Sequence, residues 1–286
     1  MREHGRYCVA VAGLAVLLLS VAAPAEAQRD YEPLLDKFNL KLEASWLAMT
    51  TQLRLDSELL GEGTTLTFED DLDLDAEKTI PTLAFEWQIA RRHRLGVRWQ
   101  DIGRDSTSQA LTDIQWGDEI IPVDAEVRLG FDVTQYFVDY TYFPWVKERW
   151  AGGFGLGLRV MELSATLAWS LEGGEREGEG STDVKGTGPL PYLYFEYRRL
   201  FTDHWRFMAG FGWLYVKIED ISGGQWIGRL GIEYLLGNHV AFGVAGNLAS
   251  IDVDWDGVET EEGVGVLSAA IDYDINDVSV FLRVRF

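Results

Sequence analysis

The last nine residues of the chain alternate between two kinds of side chain and end on an aromatic residue. Val278, Val280, Leu282, Val284 and Phe286 share one face of an extended strand, and Ser279, Phe281, Arg283 and Arg285 share the other. The first face is suited to an apolar medium and the second to a largely polar interior. The pattern predicts a strand that separates lipid from a lumen.

The amino terminus has the features of a secretory signal peptide. A basic start is followed by an apolar run, Cys8 to Val21, and by a small-residue cleavage site at Ala25 and Ala27. The run is shorter than the roughly 20 apolar residues that a membrane-spanning helix needs, which disfavours the alternative of an uncleaved anchor. We therefore expect residues 1–27 to be removed by cleavage before Gln28.

Charge and cysteine content argue against several classes of function. The chain has 25 basic and 46 acidic side chains, a net charge of −21, which disfavours nucleic acid as a partner. Its only cysteine, Cys8, would leave with the signal peptide, so we expect no disulfide or thiol chemistry in the exported protein. The sequence contains no phosphate-binding loop, CxxC pair or histidine-rich metal motif, and it predicts no cofactor.

Alternation recurs throughout the chain, whereas every apolar stretch after Val21 is soon interrupted by charged or polar residues. A chain that crosses a membrane without helices must close into a barrel, because each backbone polar group needs a hydrogen-bond partner. We predict an all-β, antiparallel up-and-down barrel of about ten strands, with eight or twelve as alternatives. Residues 264–273 resemble a further strand, which we interpret as an extension of the last one, bent around residues 274–277.

The connections between predicted strands alternate in length. Short ones are expected in the periplasm and long ones outside the cell. The short connections are residues 91–93, 144–148, 201–204 and 236–239, and the long ones are 56–79, 104–126, 171–189 and 253–263. Aromatic residues near either end are expected at the membrane interfaces, with Trp87, Tyr142, Trp145, Trp150, Tyr197, Trp205 and Tyr234 near the short turns and Trp169, Trp213, Tyr215 and Trp226 near the long loops.

The strand faces opposite the apolar ones contain glycines and charged residues. Because buried charges must be paired, we predict an ion-pair network in the lumen. Its members are Glu86, Arg98, Asp139, Arg159, Glu196, Arg198, Arg206, Arg229 and Glu233. A soluble periplasmic barrel of the lipocalin kind would show the same period with its apolar face inward. The glycine-rich, charged faces favour the membrane barrel.

Three features together resemble the small bacterial outer-membrane β-barrel proteins of the OmpA, OmpX and opacity-protein kind: the strand ending in Phe286, the glycine-alternating strand at 153–158 and the hairpin at 90–95. The resemblance covers residues 40–286 and implies the outer membrane of a Gram-negative bacterium, with its lipids and lipopolysaccharide as partners. It also implies that Val278, Val280, Leu282, Val284 and Phe286 form the signal for the barrel-assembly machinery. The expected organisation is a signal peptide, residues 1–27, a periplasmic lead-in, 28–38, and a barrel, 39–286.

Acidic segments at residues 69–75 and 172–179 are expected to project from the cell surface. Clustered carboxylates attract divalent cations, which makes the first segment a candidate calcium site. Its ligands would be Asp70, Asp71, Asp73 and Asp75. The alternative is a solvated loop of mutually repelling charges.

The remaining prediction concerns activity. The histidines of the exported protein, His93, His204 and His239, repeat at turn positions and are not paired with a particular Ser or Asp by spacing, so we predict no enzyme. We predict a structural or surface-interaction role. One alternative is a narrow solute or ion channel, which about ten strands disfavour, because open aqueous channels are characteristic of 16 to 18 strands. The other is an outer-membrane lipid-modifying enzyme.

Overall fold

The computed structural model describes residues 34–57, 60–116, 119–171, 178–218, 221–258 and 267–286. The predicted signal peptide and its cleavage site lie outside these residues. In chain order the elements are β1 (Phe38–Asp56), β2 (Leu66–Thr67), α1 (Phe68–Asp71), β3 (Glu77–Ala90), β4 (His93–Gln109), β5 (Ile114–Trp116), β6 (Glu119–Ile121), β7 (Glu126–Val146), β8 (Trp150–Leu171), β9 (Gly178–Leu200), β10 (Trp205–Ile218), β11 (Ile221–Leu236), β12 (Val240–Val258) and β13 (Leu267–Arg285). No helix in the described part of the chain is long and apolar enough to cross a membrane.

Ten long strands form one closed antiparallel barrel. They pair in the order β1, β3, β4, β7, β8, β9, β10, β11, β12 and β13, and β13 pairs with β1 to close the sheet. The predicted ten-stranded barrel is confirmed, and the alternatives of eight and twelve strands are wrong. β13 is continuous, as the predicted extension requires, and its register with β1 is unbroken through residues 274–277, where a bend was predicted.

Near the short turns, the barrel is apolar outside and polar inside. On β13, Val278, Val280 and Leu282 are exposed, whereas Arg283 and Arg285 are buried. The other strands follow the same rule at this level, with Leu42 of β1, Leu156 of β8 and Phe242 of β12 among the exposed side chains. This orientation is the reverse of a soluble barrel and provides a lipid-facing surface.

Beyond this band the apolar face changes sides while the strands continue. On β1, Trp46 is the last large apolar residue that points outward, and Leu47, Met49, Leu53 and Leu55 are all buried inside. The ten residues of β1 after Trp46 extend about 33 Å along the strand, at about 3.3 Å per residue. Each half of the barrel therefore suits a different medium, lipid near the short turns and water near the long connections.

Aromatic side chains mark the boundary between the two halves. Exposed rings at this level are Trp46, Tyr136, Trp213, Tyr215 and Trp226, and exposed rings near the short turns are Trp87, Trp145, Trp150 and Trp205. Amphipathic rings favour headgroup levels, so the lipid-facing band lies between these two girdles. Trp169, predicted at the outer interface, instead packs partly buried against the core of the water-exposed half, where its Nε1 donates to Glu119 Oε2 at 3.1 Å.

Several segments predicted as long loops are strands. β4 continues to Gln109, β9 begins at Gly178 and β12 continues to Val258. Their apolar side chains face the inside of the barrel, for example Val184 and Val253. A search for apolar residues on the lipid-facing side of each strand misses these extensions, because the apolar set has moved to the other side.

Candidate functional site

The lumen at membrane level contains the predicted charged side chains. All nine lie on the inner face, buried or half-buried. Arg198 donates to Glu196 at 2.5 Å and to Glu86 at 2.8 Å. Arg94, which sequence analysis missed, pairs with the same Glu196 and approaches Glu86 at 3.8 Å. The guanidinium groups of Arg94 and Arg198 thus share the carboxylates of Glu86 and Glu196, and Arg283 also approaches Glu86, at 3.7 Å.

A second ion-pair cluster closes the end of the barrel near the short turns and includes the segment before β1. Arg206 pairs with Glu233 and also donates to Asp36 Oδ2 at 2.8 Å, while Arg285 contacts Asp36 Oδ1 at 2.6 Å. Burial alone would raise the pKa of Asp36, but the two arginines outweigh it and lower the pKa to about 2. Leu34 is buried in the same end of the barrel. The described part of the lead-in is therefore a plug rather than a free arm.

The third group of charges lies between β1 and β11. Glu43 accepts from Arg229 at 2.8 Å and from Lys41 at 2.7 Å, and the Ser279 hydroxyl donates to it at 3.1 Å. Lys41 and Glu43 were not predicted members, although they alternate with the outward Leu40 and Leu42 and so could have been placed inside. The same period places Arg283 and Arg285 inside. Alternation along the strands does not predict that Asp36 joins these ion pairs, because Asp36 precedes the first strand.

Three predicted members, Arg98, Arg159 and Asp139, make no ion pair within the described part of the chain and are held by other contacts. The guanidinium of Arg98 lies 4.0 Å from the Phe137 ring centroid, and that of Arg159 lies 4.8 Å from the same centroid. Arg159 donates to Gln135 Oε1 at 2.6 Å, and Asp139 accepts from the Tyr192 hydroxyl at 2.5 Å. The predicted network is thus assembled partly from aromatic and amide partners, which periodicity does not identify.

The membrane-level lumen contains a small cavity. It has a volume of about 80 Å³ and lies among Lys41, Glu86, Arg98, Asp139 and Tyr192. That volume is enough for a few water molecules.

The close packing of Gly157 against Tyr192 leads to a testable prediction. A methyl group on Gly157 would overlap the Tyr192 ring and crowd Asp139 Oδ1. We expect Gly157→Ala to lower the free energy of unfolding by about 1–3 kcal/mol, as overpacking does, measured by urea titration of the refolded barrel in vesicles. Gly130→Ala is the matched control, since its nearest neighbour would be Thr166 Cβ at 3.9 Å. Equal losses in the two variants would contradict the packing argument.

The water-exposed half of the barrel is filled by an apolar core. Phe68 and Trp116, from the connections after β1 and β4, are fully buried against the barrel wall. The Phe68 ring meets Phe131 of β7 edge-on, with centroids 5.1 Å apart. Leu72 and Leu74 are buried beside Phe68, and we call residues 66–74 the mouth plug.

One buried arginine fastens the mouth plug to the wall. Arg104 of β4 contacts Glu69 Oε1 at 2.6 Å and Thr51 Oγ1 at 2.5 Å, and it lies 5.4 Å from the Phe131 ring centroid. The second carboxylate oxygen of Glu69 accepts from the Thr51 backbone N–H at 2.8 Å. This acidic residue, predicted to project outward, therefore joins the plug to two strands.

The four aspartates of the candidate calcium site are all exposed, but they are not gathered around one point. Leu72 and Leu74, which alternate with Asp71, Asp73 and Asp75, are buried, so these carboxylates face solvent. Within the described residues, no group of three or more His, Cys, Asp or Glu side chains has a metal-binding arrangement. The first acidic segment folds into the mouth instead of projecting, because its apolar residues are buried there. Of the second segment, residues 172–177 lie outside the described residues.

The connections at the mouth also form an exposed tip. Thr64 and Gln115 join two of them through hydrogen bonds of 3.0 and 3.1 Å. The large apolar residues exposed there are Leu60, Leu111, Ile120 and Val123. Exposed carboxylates in the same connections are Glu62, Asp113, Asp124 and Glu126. We call this combination the tip surface.

The described histidines lie at the opposite end of the barrel. His93 Nδ1 is 2.6 Å from the Tyr140 hydroxyl, His204 stacks on Tyr234 with centroids 5.7 Å apart, and His239 Nδ1 is 3.2 Å from the Arg285 carbonyl oxygen. Each interaction belongs to a different hairpin turn. These contacts place the three histidines in turns, next to aromatic rings or backbone at this end of the barrel.

The predicted assembly signal forms the seam of the barrel. Val278, Val280 and Leu282 point outward, and Phe286 exchanges backbone hydrogen bonds of 2.8 and 3.2 Å with Phe38. The strand that would be recognised during assembly is therefore also the strand that closes the sheet. Its recognition by the assembly machinery stays a prediction.

No family profile matches the chain, and no curated protein matches it in sequence. Among solved structures, the outer membrane protease OmpT from Escherichia coli is similar, with a TM-score of 0.58 and 13% identity over 87% of this chain and 96% of that one. The outer membrane protein OprG from Pseudomonas aeruginosa has a TM-score of 0.39 at 10% identity, over 89% of this chain and 98% of its own.

The OmpT likeness, at this identity, shows the fold alone. A closed barrel with an outward apolar band between two aromatic girdles is an outer-membrane arrangement. The chain is therefore an outer-membrane β-barrel protein of a Gram-negative bacterium, as the resemblance implied.

Proposed function

We propose that the protein is a closed membrane anchor that presents a surface for interaction outside the cell. The filled mouth is the observation that supports this proposal. Phe68, Trp116 and Phe131 fill the lumen of the water-exposed half, which we call the outer half from here on. Ions do not cross a dry apolar core without a large desolvation cost. Below it, the ion-paired level and the plug at Leu34 and Asp36 block the periplasmic side.

The interaction surface is the tip surface. Leu111 is 81% exposed, and Ile120 and Val123 are exposed in the same connection. Exposed apolar residues rimmed by polar ones are typical of sites that contact another macromolecule. The proposal assigns no catalytic role to the protein, since its described histidines lie at the other end of the barrel.

Conductance tests the closed lumen. We expect the refolded barrel to show no current steps in planar bilayers at either polarity, because the lumen is blocked at two levels. A refolding check by heat modifiability, in which the unheated protein runs as a compact band, ensures that a silent sample contains barrels. Reproducible unitary currents would favour the alternative of a narrow channel and overturn the proposal.

The same proposal requires the tip to face outward. Since Cys8 is the only cysteine, single cysteines are clean probes. On intact cells, a membrane-impermeant maleimide should label Leu111→Cys and spare Asn238→Cys, which lies in a short turn. Labelling of Asn238→Cys alone would reverse the orientation and remove the tip surface from the cell exterior.

A further inference from the structure

The two ends of the barrel differ in charge. Exposed charged side chains of the outer half are mostly acidic, including Asp101, Asp105, Asp252, Asp254, Asp272 and Asp274. The turns at the other end expose Lys37, Arg91, Arg92, Lys147, Arg149 and Arg199, against Glu148 and Asp203 within the described residues. The periplasmic rim is therefore basic, although the net charge of the chain is −21.

These cations are concentrated on one side of the rim. Arg91 and Arg92 form the turn between β3 and β4, Lys147 lies in the turn between β7 and β8, and Arg199 lies near the end of β9. The strands β3, β4, β7, β8 and β9 are consecutive neighbours in the sheet. The four residues therefore form a continuous basic arc, whereas the turn between β11 and β12 contains neither Lys nor Arg.

The basic arc has free charges. Arg149 is paired with Asp203 at 3.2 Å, but within the described part of the chain Arg91, Arg92, Lys147 and Arg199 make no ion pair with a carboxylate. Arg199 points outward and lies opposite Trp150 in the sheet, with its guanidinium 5.7 Å from the Phe201 ring centroid. It therefore lies at the level of the aromatic girdle, where lipid phosphates are found.

We propose that the basic arc binds anionic phospholipid headgroups of the periplasmic leaflet. Guanidinium groups match phosphate oxygens in geometry as well as charge, and rings such as Trp150 and Tyr197 fix the depth of the headgroup. Within the described residues, the acidic outer half has no equivalent surface, so the preference belongs to one leaflet. This inference does not depend on whether the lumen conducts or whether the tip binds a partner.

Spin-labelled lipids measure this preference directly. In phosphatidylcholine membranes containing the refolded barrel, we expect phosphatidylglycerol to be selected over phosphatidylcholine at the protein surface by about fivefold, which corresponds to one engaged cation. Added salt should weaken the selection, because exposed charges are screened. Equal association of the two lipids with the wild-type barrel would overturn the proposal.

Two variants, one at each end of the barrel, locate the preference. The quadruple variant Arg91→Gln, Arg92→Gln, Lys147→Gln and Arg199→Gln should lose the selection. The control variant Arg54→Gln, Lys78→Gln and Arg128→Gln, which removes cations from the outer half, should keep it. A quadruple variant that folds to a compact band and still selects phosphatidylglycerol would contradict the assignment. If that variant does not fold, loss of selection in the control variant would contradict it equally.

Discussion

Replacing Arg206 by methionine is expected to lower the free energy of unfolding by about 3–5 kcal/mol, which is the usual effect of removing one partner from a buried ion pair. Arg206 is fully buried, pairs with the fully buried Glu233 and donates to Asp36. Without Arg206, the buried carboxylates of Glu233 and Asp36 have fewer cationic partners. Urea titration of the barrel in vesicles, followed by tryptophan fluorescence, measures the change.

Arg128→Met is the matched control for Arg206→Met. Arg128 also pairs with a glutamate, at 2.7 Å, but both side chains are exposed on the outer half. Such pairs contribute about 0.2–1 kcal/mol, so the control should lose far less stability. The double variant Arg206→Met with Glu233→Leu restores the balance of charge and should be more stable than Arg206→Met alone. Similar losses for Arg206→Met and Arg128→Met would show that burial of the pair contributes little.

The fold was predictable because its main constraints are local in sequence. Alternation along β13 and β8 indicates which side chains share a face, and the short turns at Arg91 and Asn238 indicate where strands reverse. Strand number followed from the same evidence. The uncertain segment was residues 264–273. Its described part, from Leu267, belongs to β13, and its inward residues Ile271 and Tyr273 join a core that the sequence does not reveal.

The filling of the barrel was much less predictable. Phe68 and Arg104 are 36 positions apart in sequence, yet both pack against Phe131, and no periodicity links them. Asp36 precedes the first strand and becomes a partner of Arg206 and Arg285. Such contacts depend on where connections fold in three dimensions. Carboxylates that look alike in sequence, Glu69 and Asp70, therefore have different environments, one buried against an arginine and one solvated.

The change of apolar face along the strands also explains why the sequence pattern predicts loops where the outer half has strands. A lipid-facing residue and a water-facing residue occupy the same side of β8 only ten positions apart, Leu156 and Thr166. Leu156 is 63% exposed and lies near the middle of the lipid band, while Thr166 is exposed above the outer girdle. If the lower band is in hydrocarbon and the upper in water, the same substitution must have unequal costs at these two sites.

Substitution by arginine at Leu156 and at Thr166 tests this difference. We expect Leu156→Arg to lower the free energy of unfolding in vesicles by about 2–4 kcal/mol, the cost of a cation on the lipid face near the bilayer centre. Thr166→Arg should change it by about 0.5 kcal/mol or less, as is usual for a surface site. Both variants place arginine on the same face of the same strand, so strand propensity and charge are matched. Equal small effects would mean that the exposed apolar band does not lie in a membrane.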